Sequence, residues 1–204
     1  MKKILFTILS FVFVFFCNAQ SAAVKNELIT KYADSTLKTS SLKNDSASLY
    51  KIIFYSQKII QLDSNNFSAY LRKYGAELRV KLYPNALLSL NKLISLRPNY
   101  TNFYTSYGLV NDFIGKNNIS KTYYLKSLNM CNKILDTMST SNNQYIFMVR
   151  DKAEILILLD KIKESNILIQ EVCKTCNSES NIKLFAPLLN TTKEEYITYC
   201  IKKI

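Results

Sequence analysis

The sequence predicts an all-α chain: an α-solenoid of about four antiparallel helix pairs with a C-terminal capping helix. Three observations carry this expectation. Leu62-Asp63-Ser64-Asn65-Asn66 and Leu96-Arg97-Pro98-Asn99-Tyr100 sit 34 positions apart, and each closes an apolar stretch as a helix stop. A period of about 34 residues is that of stacked helix pairs, which usually present a surface to another protein. From Val24 onward, apolar residues recur at three- and four-residue steps, the spacing of one helix face. No segment alternates apolar and polar residues between turn signals, as a half-buried strand would.

The first residues read as an address. Lys2 and Lys3 give a positive start, Ile4 to Phe16 is an apolar stretch of 13 residues, and Cys17-Asn18-Ala19 offers a small residue for cleavage. This is the layout of a secretory signal peptide over 1–19, too short for a comfortable bilayer span. Cleavage after Ala19 would leave Gln20 first and place the mature chain in the periplasm, at the outer membrane or in the medium. The ending Asn18-Ala19-Gln20 resembles signal peptides of Bacteroidota. Lipid attachment at Cys17 is the minor alternative, because bulky Phe16 stands where a lipobox takes a small residue.

Val24, Leu28, Ile29 and Tyr32 share a helix face, Leu37 to Ser46 is polar and reads as a loop, and a helix follows from about Ala47 to Leu62. The next unit, Phe67 to Tyr100, places Tyr70, Gly75, Tyr83, Ala86 and Pro98 in an order that repeats. Thr101 begins another, with Tyr104, Gly108, Gly115, Ser120, Tyr123, Tyr124, Ser127 and Leu128 in register. The polar run Thr137 to Asn143 breaks the period. A fourth unit, about Tyr145 to Val172, uses Asp160-Lys161 as its turn and Ser165 as its small residue. Small residues let two helices approach closely, and aromatics fill the gap to the next pair.

These positions resemble the tetratricopeptide repeat (TPR) family over about residues 47 to 172, with Gly75 one position late. The resemblance implies a repeat domain over 20–180 and a capping helix over 181–204. The cap would begin at a box of Thr191-Thr192-Lys193-Glu194 and carry an apolar stripe of Tyr196, Ile197, Cys200, Ile201 and Ile204. It also implies a concave groove lined by first-helix residues. In this chain those are Arg72, Arg79, Asn102, Thr105, Asp112, Arg150 and Glu154, and a groove bearing Arg and Asn would suit a carboxylate-rich peptide.

Composition narrows the chemistry. With no His, the chain cannot build a Ser-His-Asp or Cys-His nucleophile or a His-ligated zinc site. Three scattered Gly leave no phosphate-cradling loop. No cofactor and no metal are expected, and the chain is not expected to be an enzyme. A glycan-active pair of carboxylates, about 5–10 Å apart, would have to come from Asp112, Asp151 or Glu154, which no motif binds together. The net charge is +12, or +10 once Lys2 and Lys3 leave, but the Lys residues are spread out and export argues against nucleic acid as a partner. In an exported chain Cys131, Cys173, Cys176 and Cys200 read as structural cysteines, with Cys200 expected to pair with Cys173 or Cys176. Asp34-Ser35-Thr36, Asp45-Ser46-Ala47 and Asp136-Thr137-Met138 resemble the O-glycosylation acceptor of Bacteroidota, the latter two in expected loops. The expected partner is a protein or peptide, held transiently or as a fellow subunit of an envelope assembly.

Overall fold

The computed structural model describes residues 22–39, 45–142, 144–175 and 179–203, and every regular element among them is helical. The expected leader over 1–19, with Cys17, and also Cys176 lie outside the described residues. The helices are α1 (22–39), α2 (Ser46–Leu62), α3 (Phe67–Arg79), α4 (Tyr83–Leu96), α5 (Thr101–Phe113), α6 (Asn117–Leu135), α7 (Tyr145–Leu158), α8 (Ile162–Thr175), α9 (Glu179–Phe185) and α10 (Lys193–Lys203). A 3₁₀ turn, Ala186–Leu188, joins the last two. No helix among the described residues is long and apolar enough to cross a membrane.

The 34-residue period holds at the boundaries. Starts at Phe67 and Thr101, starts at Tyr83 and Asn117, and stops at Leu62 and Leu96 are each 34 apart. Local chemistry sets these ends. Asp63 Oδ1 accepts from the Asn65 amide, and Asn66 Oδ1 caps α3 by accepting from Ala69 N at 3.0 Å. Asp45 caps α2 in the same way, accepting from Ser48 N at 2.7 Å. At the second stop, the Tyr104 hydroxyl donates to the Pro98 carbonyl at 2.9 Å and ties α5 to the turn before it. The turns after α3, α5 and α7 pass through left-handed residues: Lys81 (φ 60), Gly115 (φ 73) and Asp160 (φ 61). Only Gly adopts that conformation without steric penalty, so Lys81 and Asp160 carry some strain.

The described residues form two compact units that divide after Val80. In the first, α2 packs on α3, and Leu49, Ile52 and Ala76 make its core with Ile53 and Val80 against them. Glu77 is fully buried on α3 and ion-paired with Lys73. In the second, α4 to α8 each pack on the next helix along the chain, α9 packs on the 3₁₀ turn, and α10 returns to α7. Its core runs from Tyr124 and Cys131 through Val149, Ala153 and Ile169 to Phe185, Leu188 and Tyr196.

Several expectations change. Residues 37–39 continue α1, so the loop expected from Leu37 is shorter. Asp34-Ser35-Thr36 is therefore helical, with Thr36 buried and its hydroxyl donating to the Tyr32 carbonyl. Residues 181–203 hold the end of α9, a turn and α10 in place of one capping helix, because Pro187 and the left-handed Asn190 (φ 58) interrupt them. The capping box falls one residue later than expected: Glu195 N donates to Thr192 Oγ1 at 3.2 Å, and Thr192 N donates to Glu195 Oε2 at 2.8 Å. Cys173 and Cys200 both lie against the core of the second unit and are not bonded to each other, which removes that one of the two expected pairings, while the other, with Cys176, falls outside the described residues.

Gly108 is where α5 and α6 approach most tightly. A Cβ built there would lie 2.4 Å from Cε1 of Tyr124, whose side chain is wholly buried and cannot move aside. Gly108→Ala is expected to destabilise the fold by about 1–3 kcal/mol through overpacking. A Cβ at Gly75 meets nothing within 4 Å. Gly75→Ala should stabilise α3 by roughly 0.5–1 kcal/mol. Urea denaturation of the two variants should move the midpoint in opposite directions. Burial also pushes the Cys131 thiol up to about 11. In native protein near pH 8 it should resist a thiol reagent that labels it on unfolding, read by peptide mass spectrometry.

Candidate functional site

The groove begins with the α5–α6 pair. Its tight approach buries the Tyr124 ring, and a buried phenol needs a hydrogen-bond partner. Asp112 supplies it from α5, one turn beyond Gly108: the Tyr124 hydroxyl donates to Asp112 Oδ2 at 2.7 Å. Burial and this carboxylate raise the Tyr124 pKa, so the phenol stays protonated. Further back along α5, the Thr105 and Ser127 hydroxyls meet at 2.8 Å, and Ser127 also donates to the Thr101 carbonyl at 3.0 Å. These bonds hold the α5 face in place.

The facing wall is α7, fixed against α8 by Ser165, whose hydroxyl donates to the Ala153 carbonyl at 3.1 Å. On α7, Arg150 Nη2 and Glu154 Oε1 form an ion pair at 2.8 Å. Asp151 accepts a hydrogen bond from the Asn102 side chain, joining α7 to α5. Burial raises the Asp151 pKa, with the Asn102 bond and Arg150 opposing. Asn102, Thr105, Asp151, Glu154 and Leu158 line a hollow of about 200 Å³ with Tyr196.

Tyr196 comes from α10, which packs on α7. Its hydroxyl bonds to Glu154, and the residue is 7% exposed. Lys193, at the start of α10, reaches Asp112 Oδ2 at 3.4 Å and stands 5.9 Å from the centre of the Tyr124 ring. The Asp112 side chain is 3% exposed, and its Oδ1 has no hydrogen-bond partner.

Of the seven residues read from sequence as groove-lining, five belong to the second unit. Asn102, Thr105 and Glu154 line the hollow, while Arg150 borders a neighbouring one of about 420 Å³ with the 187–191 turn, Tyr196 and Tyr199. Asp112 is not an open groove residue, because α10 covers it. Arg72 and Arg79 stand on α3 in the first unit, both partly buried. The sequence reading missed Asp151, Lys193 and Tyr196 as site residues. Lys193 does leave a signal: a cation in the first turn of a helix opposes the helix dipole, so it calls for a carboxylate elsewhere. Among the described residues no cluster of metal-ligating side chains occurs.

No protein-family model and no curated protein matches the sequence. Solved structures do. The crystal structure of MamA protein aligns over 87% of this chain and 90% of its own, with 14% identity and a TM-score of 0.51. MamA 41-end from Desulfovibrio magneticus RS-1 covers 77% and 93% at 16% identity and a TM-score of 0.44. YrrB, described as a TPR protein with an unusual peptide-binding site, covers 85% and 91% at 12% identity and a TM-score of 0.47. At such identities the likeness concerns fold, and the fold is all-α and TPR-like.

The capping box makes α10 acid-sensitive. Hydrogen bonds from Thr192 hold the Glu195 carboxyl below its usual range. Its contribution is therefore present above the ordinary carboxylate pKa and is lost as pH falls through the lower folded value. Hydrogen-exchange protection in the first turn of α10, taken against the intrinsic rate at each pH, should fall on acidification. Glu195→Ala should show lower protection there already at neutral pH.

Proposed function

We propose that this chain is an exported, non-catalytic TPR-like scaffold that holds a segment of a partner protein in the groove between α5 and α7. One observation carries the reading: two helices held rigidly by their pairs face each other with Asn102, Thr105, Asp151 and Glu154 toward an open hollow. Each carboxylate has its own partner, Asp112 with Lys193, Asp151 with Asn102 and Glu154 with Arg150. That arrangement favours binding over a carboxylate pair sharing proton-transfer work. The leader over 1–19 supports export to the periplasm or outer membrane. The groove is more acidic than the sequence reading expected, since Arg150 is spent on Glu154. A basic segment fits it better than an acidic one.

A second reading, a fellow subunit in an envelope assembly, has its own support. A hollow of about 660 Å³ is lined by Tyr100, Ile134, Met138, Phe147 and Met148 among others, and Phe147 is 60% exposed. An apolar opening of this kind suits a lasting contact.

A photo-crosslinking residue placed at Asn102, at Phe147 or at Leu125 on α6 tests both in intact cells. Capture of one protein from Asn102 and not from Leu125 is expected. Capture from Phe147 instead would favour the assembly subunit. Equal capture from all three, or none, would overturn both. Fractionation of the same cells should recover a chain beginning at Gln20 outside the cytoplasm.

A further inference from the structure

Resting on that groove reading, we propose that α10 is a built-in occupant of the groove. The partner that displaces it presents an amphipathic helix with the same basic and aromatic stripe. Lys193, Tyr196 and Cys200 are spaced i, i+3 and i+7, the stripe by which a helix lies in a groove. Each meets the second unit: Lys193 at Asp112, Tyr196 at Glu154, and Cys200 against the apolar cluster. The complement is electrostatic as well as apolar, since Asp112, Asp151 and Glu154 supply carboxylates to this face.

The closed arrangement is built to open. Lys193 meets Asp112 at 3.4 Å, against 2.8 Å for the pair of Arg150 and Glu154, so the ion pair that anchors α10 is the looser of the two. The chain enters α10 through Leu189, in extended conformation, and the left-handed Asn190. Asn190 is held by a reciprocal pair of exposed bonds to Asn166 of α8. Asn190 N donates to Asn166 Oδ1 at 3.0 Å, and Asn166 Nδ2 donates to Asn190 Oδ1 at 2.9 Å. The groove also extends beyond α10, where Asn102 and Asp151 border the open hollow. A longer helix would gain contacts there that α10 does not make.

Fluorescence anisotropy on the full-length chain tests this, with a labelled peptide of residues 190–204 as the probe. Lys193→Glu sets a carboxylate against Asp112 and should release α10. That variant is expected to bind the peptide at least about tenfold more tightly than wild type, because the open state is no longer a minor population. The double variant Thr192→Ala, Glu195→Gln loosens α10 through its cap and leaves every groove residue intact. It should shift binding in the same direction by less, and circular dichroism confirms which variants fold. A peptide with Tyr196→Ala should lose binding to both.

Equal binding to wild type and to the folded variants would overturn occupancy by α10, as would no binding to any folded variant. A wild-type dimer with α10 exchanged between copies would overturn it in favour of a second copy as occupant. The Asn102 crosslink separates the two levels. If it persists while peptide binding is unchanged in the variants, only the role of α10 falls. If it is lost from wild type and variants alike, the groove reading falls.

Discussion

The contact between Gly108 and Tyr124 sets the geometry of everything around the groove. With no Cβ at 108, α5 and α6 close until the Tyr124 ring fills the space between them. A ring buried that deeply must satisfy its hydroxyl inside the protein, and Asp112, four residues along the same helix, accepts it. A carboxylate drawn into that position is then poorly solvated and needs a cation, which Lys193 of α10 brings. A packing decision in one helix pair thus fixes where the C-terminal helix lies.

The neighbouring pair solves the same problem with other residues. Ala153 on α7 and Ser165 on α8 each stand 45 positions after Gly108 and Ser120, and both are fully buried. The shift from 34 to 45 is absorbed by α6, which runs 19 residues to Leu135, and by the turns that follow it. The inserted length leaves the inter-helix register intact, because that register is set by small side chains and not by loop length.

Much of this was legible in the sequence for a physical reason. Helix ends here depend on local chemistry: Asp63 and Asn66 bond to amides two and three residues away, so their signals are contiguous in the chain. The small residues Ala86, Ser120 and Ser165 were legible because close approach excludes larger ones. The left-handed turns were only partly so. Gly115 announces its conformation, whereas Lys81 and Asp160 adopt it because the following helix must start there. The return of α10 was not legible, since the ion pair that anchors it joins positions 112 and 193. The expected end-cap position instead follows from treating Tyr196 and Cys200 as a generic apolar stripe without their neighbours.

The structure adds carboxylates to the groove and pairs the Arg that the sequence placed there. Arg150 is neutralised by Glu154 at 2.8 Å, Asp151 remains as an acid beside Asn102 in the hollow, and Asp112 is met by Lys193 of α10. The chain as a whole carries +12, so under the proposed reading this face would take cationic ligands against the net charge of the molecule. α10 is such a ligand with the advantage of its tether. A short linker holds it at an effective concentration on the order of millimolar. A free partner at micromolar concentration must offset about a thousandfold, or roughly 4 kcal/mol. The unfilled hollow at Asn102 and Asp151 is where a longer helix can find that energy, through one charge-assisted hydrogen bond and added buried surface. Selectivity in this groove would then depend less on the stripe a partner shares with α10 than on the turn by which it exceeds α10.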